Sequence, residues 1–338
     1  MNDDSDILLD VRDLRVRFFL REGILKAVDG VAFTVRSKQT LGLVGESGCG
    51  KSVTVKAILQ IVPPPGKVSG EIWLQPKDGG PPIDLGQLNP MGNAIRAVRG
   101  GEIGMIFQEP MKAFSPVHTI GDQLTEGILL HTTKDKKQAF EIAVEMLERV
   151  KVANPRQRMK SYPHELSGGM RQRAMIAAAL VCHPSILIAD EPTTALDVTV
   201  QAEVLRLIKD LQAELGMSVI FITHDLGVVA EMADEVAVMY LGRIVEQGAV
   251  DAIFYEPQHP YTIELLRSIP ELGRAPRSRL NTIEGTVPIP LNLGKGCGFY
   301  SRCKEAVKGV CNVDDPPLLE VKPGHLACCF LRPGGRIG

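Results

Sequence analysis

The chain has 338 residues, 44% of them hydrophobic and 23% charged, enough to bury a full core and form two or three domains. With 38 Lys and Arg against 40 Asp and Glu there is no basic excess, so nucleic acid is not expected as a partner. The acidic start MNDDSDILLD lacks the basic and then apolar pattern of a signal peptide, and no window holds a long enough apolar run to span a membrane. A cytoplasmic location, with any membrane role peripheral, is the expectation.

The first expected element is a strand: in VRDLRVRFFLR, Leu14, Val16 and Phe18 alternate with arginines. QTLGLVG, Gln39 to Gly45, is a short apolar run ending in glycine. It leads into GESGCGKS, Gly45 to Ser52, then into the amphipathic KSVTVKAILQIV and the stop at Pro63, Pro64 and Pro65. The loop between strand and helix fits G-x-x-x-x-G-K-[ST]. Glycines there let backbone N–H groups converge on phosphate oxygens, and the helix N-terminus adds positive potential. In such a loop Lys51 reaches the β- and γ-phosphates and Ser52 ligates Mg²⁺.

From about Val117 to Tyr162 no strand pattern appears, and Phe140, Val144, Leu147 and Val150 recur at helical spacing, so a helical insertion is expected. ELSGGMRQR, Glu165 to Arg173, sets Ser-Gly-Gly before a helix, which alone reads as an N-cap. SILIAD reads as a buried strand delivering Asp190 and Glu191 at its C-terminal end, where ligands bind in open α/β sheets. Asp190 suits a Mg²⁺ shell, and Glu191 a general base or water-orienting group. Val200, Val204, Leu207, Ile208 and Leu211 predict a helix ended by Gly216, and SVIFITH a further buried strand. Buried strands alternating with helices imply a parallel sheet covered on both faces.

In this order the motifs resemble those of the ATP-binding cassette, or ABC, ATPases. ELSGGMRQR matches the family signature, Gln108 in MIFQEP the Q-loop, TALD (Thr194 to Asp197) the D-loop, and His224 in ITHD the switch histidine. The resemblance implies an α/β nucleotide-binding domain over residues 1–250: a parallel sheet with antiparallel edge strands and a helical subdomain inserted at about 117–165. It implies ATP hydrolysis by Glu191 with Gln108 and His224, and Mg²⁺ held by Ser52, Gln108 and Asp190. ATP contacts fall to Phe18, or its neighbour Phe19, stacking on adenine, and to Gly45, Glu46, Ser47, Gly48, Cys49, Gly50, Lys51, Ser52 and Val53. Ser167, Gly168, Gly169 and Asp197 complete the set. The family pairs two cassettes head to tail, so that the signature of one faces the γ-phosphate held by the other.

FQEPMKAFSP, DEPTTALDVTVQAEVLRLI, MYLGRIVEQG and YEPQHPYTIELLRSIP look like the ATP-binding subunits of peptide importers, the dipeptide and oligopeptide group, nearly end to end. Most of that group reads closer to QDPMTSLNP where this chain has QEPMKAFSP, on the face Glu109 to Thr119 expected to dock a permease. The resemblance implies two permease subunits, a second ABC ATPase subunit and an external peptide-binding protein as partners. It also implies a peripheral place at the cytoplasmic face of the cell membrane. The competing reading is a soluble ABC ATPase acting on nucleic acid or ribosomes.

Five of seven cysteines fall within the last 42 residues, which marks a separate module at about 285–338 within a C-terminal region 251–338. Cys297, Cys303, Cys311 and Cys328 are spaced by 5, 7 and 16 residues, which fits neither common zinc sites nor bacterial ferredoxins. Spacing alone leaves disulfide, zinc and iron–sulfur open; an odd thiol count and a reducing cytoplasm argue against disulfides. The resemblance implies a [4Fe–4S] cluster on these four, with zinc as runner-up. Cys329 is expected to face away, because neighbouring side chains in extended chain diverge.

Overall fold

A computed structural model describes residues 6–109, 113–194, 196–269 and 283–335. Two long strands, β1 (Ile7–Leu20) and β2 (Gly23–Arg36), pair antiparallel; β3 (Thr40–Val44) then leaves for a second sheet. The phosphate loop and α1 (Lys51–Ile58) follow, and β4 (Gly66–Leu74) and β5 (Ile83–Asp84) complete the first sheet in the order β2-β1-β4-β5. Antiparallel strands are expected at the edge of the parallel sheet, whereas these four form a sheet of their own.

After α2 (Asn93–Val98) and β6 (Ile103–Ile106), the chain turns helical: α3 (Ile120–His131), α4 (Lys136–Arg149) and the short α5 (Pro155–Arg158). No strand falls within 117–165. A reciprocal pair of bonds between Thr119 and Asp122 starts α3, and Asp135 caps α4 by accepting the Lys137 amide. Next come α6 (Gly168–Leu180), β7 (Ile186–Asp190), α7 (Val198–Leu215), β8 (Ser218–Thr223), α8 (Leu226–Met232), β9 (Glu235–Tyr240) and β10 (Arg243–Ala249). Gly216, at φ 65°, ends α7 as the sequence predicts.

The C-terminal region adds α9 (Val250–Tyr255), α10 (Pro260–Arg267), β11 (Leu319–Lys322) and β12 (His325–Ala327). The second sheet runs β11-β12-β10-β9-β3-β8-β7-β6. Pairing is parallel from β9 to β6 and antiparallel from β9 outward to β11. The cysteine-bearing tail is therefore not a detached module: Ala327 pairs with Glu246, and the tail's strands continue the central sheet.

Alternation along the parallel strands puts a core on each face. Ile186, Ile188, Ile220 and Ile222 enter the layer shared with the first sheet and α1, whereas Leu187, Ala189, Val219 and Phe221 enter the layer shared with α3, α4, α6 and α7. A third cluster, from Val44 and Val238 to Tyr261, Phe299 and Cys328, joins the sheet to the C-terminal region. β3 joins two of these cores, Leu41 and Leu43 entering the layer shared with the first sheet and Val44 the third cluster.

Candidate ATP site

At the end of β3 the chain must turn sharply and let backbone amides approach a ligand. Gly48 and Gly50 sit at φ 80° and 110°, and a Cβ on Gly50 would run into the Ala27 carbonyl. The loop opens into a cavity lined by Phe18, Ser47, Gly48, Lys51, Ser52 and Val53, with Gln108 and Glu191 on its far side. Lys51, buried, donates from Nζ to the carbonyls of Gly45 (2.8 Å) and Glu46 (3.2 Å). Its ammonium thus spans the loop that expects phosphate. Cys49 is buried behind the loop, and Glu46 turns its carboxylate away from the cavity.

Ser52 Oγ donates to Asp190 Oδ1 at 2.9 Å, joining the start of α1 to the end of β7. Burial pushes the Asp190 carboxyl up, against the opposing effects of the Ser52 bond and the charges of Lys56 and Lys51. These oxygens, with the Gln108 amide oxygen, are the hard donors Mg²⁺ takes, and the cation would relieve that buried carboxylate.

Glu191 sits one residue on, at φ 48°, a strained backbone for a side-chain-bearing residue. Its Oε2 accepts from Gln108 Nε2 (2.8 Å) and Thr194 Oγ1 (2.9 Å), and its Oε1 lies 3.3 Å from His224 Nδ1. Burial raises this carboxyl, but the bonds from Thr194 and His224 and the charges of His224 and Lys51 outweigh it, leaving Glu191 below the usual range. An ionised carboxylate held by three neutral or cationic partners beside a phosphate loop is equipped to orient and deprotonate a water.

Of the two aromatics weighed for adenine, Phe18 lines the cavity, while Phe19 is exposed beneath the Lys67 ammonium. Ser167 caps α6 by accepting the Met170 amide at 3.3 Å, with Gly168 and Gly169 open beside it. Asp197 caps α7 through the Val200 amide, and Val200 lies against Gly169. Ser167, Gly168, Gly169 and Asp197 do not line the cavity that holds the phosphate loop. Ala195 of the D-loop, and residues 110–112 of the face expected to dock a permease, lie outside the described residues.

In the C-terminal region, Cys297, Cys303, Cys311 and Cys329 line one small cavity with Phe299 and Phe330. Cys328 does not: its thiol donates to the Pro316 carbonyl at 2.8 Å, and its backbone N–H pairs with Val245 of β10. Cys328, buried in the third core, lines a neighbouring cavity with Cys297 instead, so the cavity shared by Cys297, Cys303 and Cys311 is lined by Cys329 and not by Cys328, the residue expected as fourth ligand. Burial raises the thiols of Cys303 and Cys329, and pushes Cys297 up to about 11 and Cys328 to about 12. Among the described residues, no three His, Cys, Asp or Glu side chains are drawn close enough to hold a metal ion.

A model described as ABC transporter matches residues 28–194, and one described as the C-terminal region of oligopeptide/dipeptide transporters matches 245–311. The protein called "Probable peptide ABC transporter ATP-binding protein y4tR" of Sinorhizobium fredii is 50% identical, covering 97% of this chain and 96% of its own. The chain belongs to the ABC transporter ATP-binding proteins. The oligopeptide transport ATP-binding protein AppD of Bacillus subtilis is 48% identical over 96% of each. A solved ATP-binding cassette, dimeric and bound to ADP and Pi, superposes with a TM-score of 0.62 at 24% identity, covering 72% of this chain and 99% of that one, and shows the α/β fold alone. The relatives are named for transport, so the nucleic-acid reading of this ABC ATPase is not favoured.

The sequence reading missed four contributors. Thr194, noted as part of TALD, bonds the Glu191 carboxylate. Pro290 closes one wall of the nucleotide cavity, where its carbonyl accepts the Lys26 amide. Tyr261 and Arg302 reach the phosphate loop from behind. Thr194 and Tyr261 lie in stretches that the sequence reading quotes for other reasons, and Pro290 and Arg302 carry no local pattern.

Proposed function

We propose that this ABC ATPase is the ATP-hydrolysing subunit of a di- or oligopeptide importer. The observation that carries the catalytic part is the convergence of Gln108, Thr194 and His224 on the Glu191 carboxylate, beside Lys51 and the Ser52–Asp190 pair. The peptide class is supported by relatives named for peptide and oligopeptide transport and by the match of residues 245–311. No described helix is long and apolar enough to cross a membrane, consistent with a peripheral subunit working with two permease subunits, a second ABC ATPase subunit and an external binding protein.

In this reading Phe18 stacks on adenine, the amides of Gly45 to Val53 and the Lys51 ammonium cradle the phosphates, and Ser52, Asp190 and Gln108 hold Mg²⁺. When bound, the metal neutralises charge on the β- and γ-phosphates. Glu191 accepts the proton of the attacking water while Gln108 and His224 fix its geometry. Ser167, Gly168, Gly169 and Asp197, which do not line this chain's own cavity, would meet the nucleotide of a head-to-tail second cassette. The nucleotide-binding domain is residues 1–250, with its helical insertion at 117–165, and residues 251–338 form the peptide-type C-terminal region.

For the cysteine cavity we propose thiolate ligation of a [4Fe–4S] cluster, or of zinc, by Cys297, Cys303, Cys311 and Cys329. Support comes from four thiols lining one small cavity; the thiols would have to close in on the bound group. The test of the whole reading is uptake of labelled peptides by vesicles holding the assembled transporter, with Glu191→Gln as the control. ATP-driven uptake lost in that variant supports it; hydrolysis unaffected by the variant, or no uptake of any peptide, overturns it.

A further inference from the structure

Glu46 is a carboxylate inside a loop built to receive a polyanion, and the C-terminal region takes hold of it. Arg302 donates from Nη1 to Glu46 Oε2 at 2.7 Å and from Nη2 to Oε1 at 3.1 Å, a two-pronged pair across 256 residues. The Arg302 side chain is only 4% exposed. Its Nε donates to the Glu284 carbonyl, Nη1 also approaches Tyr240 Oη, and its plane lies against the Tyr240 and Phe299 rings. The Glu46 backbone is held as well: its N–H donates to Tyr261 Oη at 2.9 Å. Both faces of one phosphate-loop residue are therefore fixed by residues beyond the nucleotide-binding domain.

We infer that Arg302 is a positioning residue for ATP binding, drawing the Glu46 carboxylate back from the phosphates and neutralising it there. The inference rests on the reading that Gly45 to Ser52 hold ATP. Without the guanidinium, Glu46 keeps its negative charge, loses its tether and stands within the loop that must accept the triphosphate. The damage is electrostatic as well as mechanical, and the two are separable. Removing the carboxylate too should restore much of what loss of the arginine takes away, whereas a tether serving only stability predicts no such recovery.

The experiment measures MgATP affinity of the purified full-length chain, using a fluorescent ATP analogue, for the parent, Arg302→Met, Glu46→Gln, the double variant and Lys51→Ala. Arg302→Met should weaken binding about tenfold and Glu46→Gln less than about threefold, with the double variant close to Glu46→Gln alone. Thermal melting identifies any variant that fails to fold; should Arg302→Met fail, Arg302→Lys, which keeps charge but not the planar fork, takes its place with a smaller loss expected. A folded arginine variant with parental affinity, or a double variant as weak as the two single effects summed, overturns the inference. Undiminished binding by Lys51→Ala overturns the phosphate-loop reading and the inference with it, whereas loss there with no effect at Arg302 defeats the inference alone.

Discussion

Gln108 Nε2 donates to Glu191 Oε2 at 2.8 Å, tying the end of β6 to the end of β7 across the nucleotide cavity. The bond orients the carboxylate rather than creating it, so Glu191→Gln keeps the shape and loses only the basicity. Turnover of the assembled transporter should fall about a hundred- to ten-thousand-fold, with MgATP affinity of the free chain unchanged. Phosphate release and nucleotide binding, measured on the same preparation, check this; parental turnover would remove Glu191 from its role.

The Thr194 hydroxyl helps hold Glu191 below the usual carboxylate range. As a base, Glu191 works when ionised, so activity limited by this group is present above its pKa and lost as pH falls through it. Thr194→Val removes one stabiliser of the ionised form and should move the acidic limb of the kcat profile to higher pH. A limb that stays in place, or moves down, contradicts the assignment.

Glu246, on β10 and fully buried, accepts from the Gln258 and His259 amides and from His325 Nε2. Glu246→Ala would strand these donors. At about 1–3 kcal/mol for each unsatisfied buried group, the loss of stability in a urea titration should be at least about 3 kcal/mol. Glu246→Gln should lose less, since its amide oxygen still accepts; equal losses would argue that packing, not hydrogen bonding, matters there.

Cys328 and Cys329 make opposite forecasts. Cys329→Ser should lower bound iron and sulfide, or zinc, in anaerobically purified protein, whereas Cys328→Ser should leave the metal content intact. The reverse pattern would restore the sequence-based choice.

Much of the ATP site was legible because its chemistry is local. A glycine-rich turn between strand and helix, and carboxylates at the end of a buried run, are written in adjacent residues, and Ser52 and Asp190 meet because β3 and β7 both flank β8. Contacts of long reach and short sequence were not legible. The strand His325–Ala327 has three residues, too few for a pattern, yet its pairing with β10 leads directly into Cys328 and Cys329, which line different cavities. The rule that neighbouring side chains diverge sets Cys328 and Cys329 apart, but the choice of Cys328 comes from the family resemblance and not from the residues. Arg302 is one arginine among many until the fold brings it to Glu46.

The last two strands also settle how the large sheet stops. Without β11 and β12, the outer backbone groups of β10 would stand open as a template for another chain, a common route to aggregation. The terminating strand is instead four residues long, with exposed Glu320 and Lys322 pointing into solvent. A chain cut before Leu319 should therefore suffer in solubility as well as in stability, because the protein's own tail serves as its guard against self-association.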